Sequence, residues 1–273
     1  MPLSVVDLYG KILPRTNCGD CGHPTCLAFA SMVVSEKLPL SNCPHLKPEL
    51  VDRCQSELDQ QHAAGKWTKR DMAVDALQWA RERAASMAIE DLPPRIGGHL
   101  VEKNGVTYLE LSYFNCKILI GPDDITRDDQ EELTQWEKVF IYNHMAQGGD
   151  TEPVGKWKGF QEIPNTVSKI KSMQSQVETP LQQRFSGRVD ELAIAARTIG
   201  GIDESARIGS ADLVFLFQPL PRIPVQLLFW DEDQDDGFEA KAKLIFDDTI
   251  TDHLDIESIV FLSERIAQLL CSG

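Results

Sequence analysis

Long apolar runs are missing from these 273 residues. The most apolar stretch, "LVFLFQPLPRIPVQLLFW" from Leu213 to Trp230, is broken by Gln218, Arg222 and three prolines. It falls short of the roughly 20 apolar residues that a membrane-spanning helix needs, so no membrane span is expected. The amino-terminal residues lack a basic segment followed by an apolar one, so no export is expected and a cytoplasmic location is. Basic charge is scarce: 27 Lys and Arg face 42 Asp and Glu, a net charge of -15. Residues 203–257 alone hold fourteen acidic and four basic side chains. Such a surface repels nucleic acid, serves solubility and would steer a basic partner toward it. Also absent are the GxxxxGK[ST] phosphate loop, a GxGxxG after a strand, HExxH and GxSxG, which excludes the commonest signatures of nucleotide, zinc-protease and serine-hydrolase chemistry.

Cysteine is sparse too, with seven in the chain, yet four of them fall at 18, 21, 26 and 43. In a reducing cytoplasm, clustered thiols point to metal or redox chemistry rather than disulfides. With 42% apolar and 25% charged residues the chain reads as globular, long enough for one large domain or two.

Periodicity divides the chain in two. Ser4 and Asp7 spell a capping box for a short helix ended by Pro14. From Thr25 a second helix carries Leu27, Ala30, Val33 and Val34 on one side, and a third begins at Pro48 with Cys54 on its apolar stripe. Residues 60–67 read as a linker, and Thr68 with Asp71 caps a helix to about Met87. Asn104-Gly105 between alternating segments predicts a hairpin with a type I' turn. A strand from Cys116, a helix over 129–146 with Leu133, Trp136, Val139 and Phe140 inward, and a loop at "GKWKGFQEIPN" follow. Two or three short helices precede strands at "DLVFLFQ", "PVQLLFW" and "FEAKAKLIF", and a final amphipathic helix begins at Asp255. The expected fold class is α+β: a helical cysteine module at 1–60, a linker and connecting helix at 61–90, and a mixed, mainly antiparallel domain at 91–273.

Cys18, Cys21, Cys26 and Cys43 put three thiols on one tight loop and a fourth on a returning segment. Gly19 and Gly22 let the backbone coil closely and aim amide N–H groups at cluster sulfurs. Cys26 opens a helix, where unpaired N–H groups favour negative charge. The three-plus-one division favours a single 4Fe-4S cluster, and zinc, whose structural sites usually pair two knuckles, is the alternative. His23 and His45 beside the cysteines read as surface or supporting groups.

"LPRTNCGDCGHPTCLAFA" followed by "SNCPHL" closely resembles the 4Fe-4S domain of the corrinoid iron-sulfur protein large subunit of the acetyl-CoA pathway, and a similar module occurs in the B subunit of ion-pumping ferredoxin oxidoreductases. The resemblance covers residues 1 to about 60. It implies a cluster held by Cys18, Cys21, Cys26 and Cys43, and anaerobic metabolism in which a corrinoid or another low-potential partner is reduced. That family should continue into a TIM barrel and a cobalamin-binding domain, which the remaining residues cannot supply. They resemble instead a family of unknown function found behind this cluster motif in anaerobes, through "GKWKGFQEIPN", "LPRIPVQLLFW" and the run from Trp230 through Phe238, Ala240, Phe246 and Asp247 to Leu254 and Glu257. That resemblance names no reaction.

The expected function is one-electron transfer to a protein redox partner. The alternatives are a cluster-dependent reductase with a small-molecule site around Trp157, Glu162 or Arg222, and a structural or sensing cluster in an interaction protein. The acidic turn at 231–237 lacks the Gly and Glu that an EF-hand requires at its sixth and twelfth positions, and Arg222 is expected in a salt bridge. No catalytic residue is assigned.

Overall fold

The computed structural model describes residues 3–64, 72–233 and 237–272. The chain divides into two compact units, Met1–Asp71 and Met72–Gly273. The charge divides with it: the first unit carries eight basic and eight acidic residues, the second nineteen and thirty-four. All of the net negative charge therefore belongs to the second unit, so any steering of a basic partner acts there.

In the first unit Ser4 caps the opening turn, with the reciprocal Asp7 bond in place, and the chain runs on through a wide turn at Leu8–Ile12. Helices Cys26–Ser35 and Pro48–Ala63 follow, the latter with proline in its first turn, so the helix outlasts the residue where the linker was expected. Their buried stripes meet in a core of Leu8, Phe29, Ala30, Val33, Leu40, Cys54 and Leu58, together with Cys26 and Cys43. One expectation changes: Leu27 is 49% exposed and Phe29 is buried. The buried stripe is Cys26, Phe29, Ala30, Val33 and Val34, and Leu27 lies off its edge. The proposed caps Thr68 and Asp71 lie outside the described residues.

The second unit is α+β with two antiparallel sheets. The first is a meander of β1 (His99–Lys103), β2 (Val106–Tyr113), β3 (Cys116–Ile120) and β4 (Ile125–Arg127). Asn104 and Gly105 both have positive φ, 52° and 76°, as a type I' turn requires. The second sheet contains β5 (Trp157–Gly159), β6 (Ile202–Asp203), β7 (Leu213–Leu220), β8 (Ile223–Trp230) and β9 (Lys241–Asp247), in the order β5-β9-β8-β7-β6. Its inner face, with Phe215, Phe217, Leu227, Phe229, Leu244 and Phe246, shares one core with helices Met72–Ala84, Gln135–Gln147, Val189–Thr198 and Ile256–Cys271. The expected loop at "GKWKGF" is thus corrected in part: Trp157–Gly159 is an edge strand on β9. A polar three-residue strand has no alternation to read; it forms because β9 offers it a ladder.

The helix expected over 129–146 starts at Gln135, where Thr134 accepts from the Glu137 N–H and the Glu137 carboxylate accepts from the Thr134 N–H. That cap turns Glu137 inward, fully buried, and leaves Trp136 37% exposed with its ring 4.5 Å from that of Phe261. The middle of the acidic turn, 234–236, lies outside the described residues. No helix among the described residues is long and apolar enough to cross a membrane.

Two histidines are buried where helix Gln135–Gln147 meets the turn Ile250–His253. His144 Nδ1 donates to the His253 carbonyl at 3.1 Å, His253 Nε2 donates to the Thr151 carbonyl at 2.8 Å, and the ring centroids lie 5.6 Å apart. Burial holds His144 at a pKa of about 4 and lowers His253 as well. The unfolded chain, titrating near 6.5, then binds protons that the native unit refuses, so stability is full above about pH 6.5 and is lost as the pH falls toward 4. Urea unfolding should register a loss of roughly 3 kcal/mol over that window from His144. His144→Asn, which keeps the donor but does not titrate, should flatten the profile; an unchanged slope in that variant would contradict the assignment.

Candidate metal centre

The cysteine loop is built from left-handed backbone. Arg15, Asn17, Gly19 and Gly22 have φ of 60°, 52°, 81° and 84°, and the Gly22 N–H closes a turn on the Gly19 carbonyl at 2.8 Å. A methyl group at either glycine would meet nothing within 4 Å. Glycine is required there by conformation, not by space. Asn17, a residue that tolerates this region, accepts from the Cys26 N–H at 2.8 Å and so ties the start of the loop to the start of the helix. Thr25 caps that helix by accepting from the Ala28 N–H at 3.0 Å. Two first-turn N–H groups that the sequence reading leaves available to a bound anion are therefore taken by side chains.

Cys26 and Cys43 are each 6% exposed, Cys21 is half-buried, and Cys18 is exposed. Cys43 follows the turn Leu40–Asn42, its N–H closing on the Leu40 carbonyl at 3.1 Å. Burial raises the Cys43 thiol above its ordinary range, the charges of Cys21, Cys26 and Cys18 raise it further, and the His45 backbone N–H, hydrogen-bonded to it, works the other way. Cys43 thus lies within electrostatic range of the other three cysteines. The amide that reaches the Cys43 sulfur belongs to His45, not to a glycine.

Among the described residues no three of the four sulfurs lie within 4.8 Å of one another, whereas ligand atoms of Cys18, Asp20 and His45 do. Asp20 accepts from the Cys18 thiol and lies 2.6 Å from His45 Nε2. The His45 bond and then the Cys18 bond hold its carboxyl below the usual range. The sequence signal for Asp20 is its place inside the CxxC, with a histidine two residues after Cys43. His23 is half-buried, its ring 5.8 Å from that of Phe29. As a donor set, four soft thiols, two of them buried, suit iron or zinc and not a hard cation. Cys54 is buried in the module core; Cys116 and Cys271 lie in the second unit, raised by burial, Cys116 to about 11.

The residues expected around a small-molecule site in the second unit are engaged in the fold. Glu162 accepts from the Gly159 N–H at 2.7 Å, and Trp157 pairs with Asp247 in the sheet. Arg222 meets the Arg95 carbonyl and pairs with Glu152 at 2.7 Å. Asp247, 1% exposed, accepts from the N–H groups of Val154, Gly155 and Thr249 and from the Thr249 hydroxyl. Burial works to raise its pKa, but those bonds outweigh it and hold the carboxyl low. The stretches that carry the resemblance of this unit therefore fasten loops to the sheet.

Residues 13–45, which include all four cysteines, match the family described as "Putative Fe-S cluster". The corrinoid/iron-sulfur protein large subunit of Moorella thermoacetica is 52% identical over 46 residues, 17% of this chain and 10% of that protein. Subunit gamma 1 of the acetyl-CoA decarbonylase/synthase complex of Methanosarcina thermophila is 27% identical over 146 residues, 51% of this chain and 27% of that protein. The gamma subunit of Methanosarcina acetivorans is 45% identical over 106 residues, 38% and 18% of the two chains. The chain thus spans about a quarter or less of these relatives, and no solved structure matches it. The expected likeness to the corrinoid iron-sulfur proteins is borne out, and within the first unit residues 13–45 carry the match to the iron-sulfur cluster family. Residues 88–269, two thirds of the chain, match the "Domain of unknown function (DUF3786)", and the protein belongs to that family.

Proposed function

We propose that Cys18, Cys21, Cys26 and Cys43 hold one 4Fe-4S cluster and that the protein passes single electrons to a protein partner. The observation that carries this reading is the convergence of Cys43 on Cys18, Cys21 and Cys26, whose loop turns through left-handed backbone at Arg15, Asn17, Gly19 and Gly22. The three-plus-one division of the cysteines along the chain supports a cluster over zinc, whose structural sites usually pair two knuckles.

When bound, such a cluster supplies one-electron chemistry. The residues set its surroundings. Cys26 and Cys43 lie in the module core, the His45 N–H donates to Cys43, and Cys18 reaches solvent beside Asp20 and His45. That exposed rim is where a redox partner docks in this proposal. Because the first unit carries balanced charge, docking there relies on shape and local contacts, and long-range attraction of a basic partner comes from the second unit. The relatives are named as corrinoid/iron-sulfur and acetyl-CoA decarbonylase/synthase subunits; by analogy the setting is anaerobic cytoplasmic metabolism with a low-potential, corrinoid-linked partner. Electron paramagnetic resonance before and after anaerobic dithionite reduction tests the electron-transfer role. A reduced-state signal of about one spin per chain is expected, and a protein silent across accessible potentials would mean a structural cluster.

A further inference from the structure

The second unit holds a cavity of about 280 Å³ between helices Met72–Ala84 and Gln135–Gln147 and the turn at Gly121-Pro122. Its wall is apolar, formed by Ala85, Met87, Ile89 and Met145. Three polar side chains, Arg81, Thr107 and Tyr142, complete the lining. Tyr142 lines the cavity, is 5% exposed, and its hydroxyl is buried with no hydrogen-bond partner among the described residues. Arg81 lies at the exposed rim, its guanidinium 5.9 Å from the centroid of the Tyr142 ring and donating to the Asp123 carbonyl. Buried hydroxyls are rarely left unpaired, because desolvation without a partner is unfavourable. A pocket with apolar walls and a few convergent polar groups is the ordinary form of a small-molecule site.

We propose that this cavity binds a small monocarboxylate, with the carboxylate accepting from Tyr142 and facing Arg81 and its aliphatic or aromatic body against Met87, Ile89 and Met145. The chemistry selects the ligand. The Arg81 guanidinium is cationic and only donates, and the Tyr142 hydroxyl can donate beside it, so the pair favours an anionic acceptor over an ammonium. The neighbouring carboxylates do not overturn this: Asp124 is paired with Lys138 at 2.7 Å, and Asp123 is exposed to solvent. Burial raises the Tyr142 pKa, so the hydroxyl stays protonated. The methionines adapt to varied apolar shapes. The site lies wholly in the second unit and does not depend on the iron-sulfur reading.

The test is a titration of the full chain, labelled with ¹³C-methyl methionine, with hexanoate, the Met87 and Met145 signals being assigned through Met87→Leu and Met145→Leu. Both signals should shift saturably, with a dissociation constant on the order of 1 mM for a ligand of this size. Tyr142→Phe should weaken binding by about tenfold or more while leaving the thermal midpoint of the free protein no lower, since it removes a hydroxyl without a partner. Ala85→Phe, at an exposed lining position, should block binding by filling the space. Equal affinity in Tyr142→Phe, no shift at about 10 mM hexanoate, or equal binding of hexylammonium would each overturn the proposal.

Discussion

Glu137→Ala should destabilise the second unit by about 3–5 kcal/mol, the range for removing one partner of a buried ion pair. Glu137 is fully buried. Its Oε1 accepts from the Tyr113 hydroxyl at 2.7 Å and from Arg265 Nε at 2.8 Å, and its Oε2 accepts from the Thr134 N–H at 2.8 Å. Alanine removes all three bonds together. It leaves a largely buried guanidinium without its anion and a hydroxyl on Tyr113, itself 1% exposed, without an acceptor. The helix also loses half of its capping box. For a unit of this size the thermal midpoint should fall by roughly 10 °C. Glu137→Gln, which keeps an acceptor for the cap but not the charge, should fall between the parent and the alanine variant. A loss below about 1 kcal/mol in Glu137→Ala would show that Arg265 finds another partner and that this network does not hold the helix to the sheet.

How far the chain could be read in advance follows from the range of its signals. Local chemistry was legible. Ser4 with Asp7, Asn104-Gly105, proline at the start of the third helix and Asp255 at the head of the last each act within a few residues, and each forms as spelled. The α+β class followed from the change of period after Gly98. Strands of two or three residues, too short to show alternation and formed on a partner's ladder, were not legible: β5 on β9, β6 on β7, and β4 on β3. Size and apolarity point Trp136 inward, yet the cap at Thr134 fixes the helix phase and turns the charged Glu137 to the core. The Thr-x-x-Glu spacing was the available signal, and it outranked hydrophobicity.

The candidate site shows the same division. The four cysteines stand out by residue type and spacing, because thiols are rare and metal chemistry needs them together. Asp20 is one of 42 acidic residues and acquires meaning only when the chain brings His45 to it. Tyr142 and Arg81, sixty-one positions apart, become neighbours through the packing of two helices, and nothing local marks them.

Cys26→Ser bears most heavily on the first unit. That unit spans Met1–Asp71, and among the described residues its buried core numbers eleven, two of them Cys26 and Cys43. A single core of this size rarely supplies more than about 3–5 kcal/mol. Metal binding then contributes folding free energy directly. Serine at position 26 puts a weaker ligand and a polar hydroxyl into a buried position, so the variant should lose its cluster and the helical signal of Cys26–Ser35 and Pro48–Ala63, while the second unit, with its own core, keeps its melting transition. The most direct measurement is the iron, acid-labile sulfide and zinc content per chain of protein purified without oxygen, parent beside variant. About four irons and four sulfides in the parent, falling to near zero in Cys26→Ser, are predicted for a single cube; one zinc and no sulfide in the parent would contradict the account.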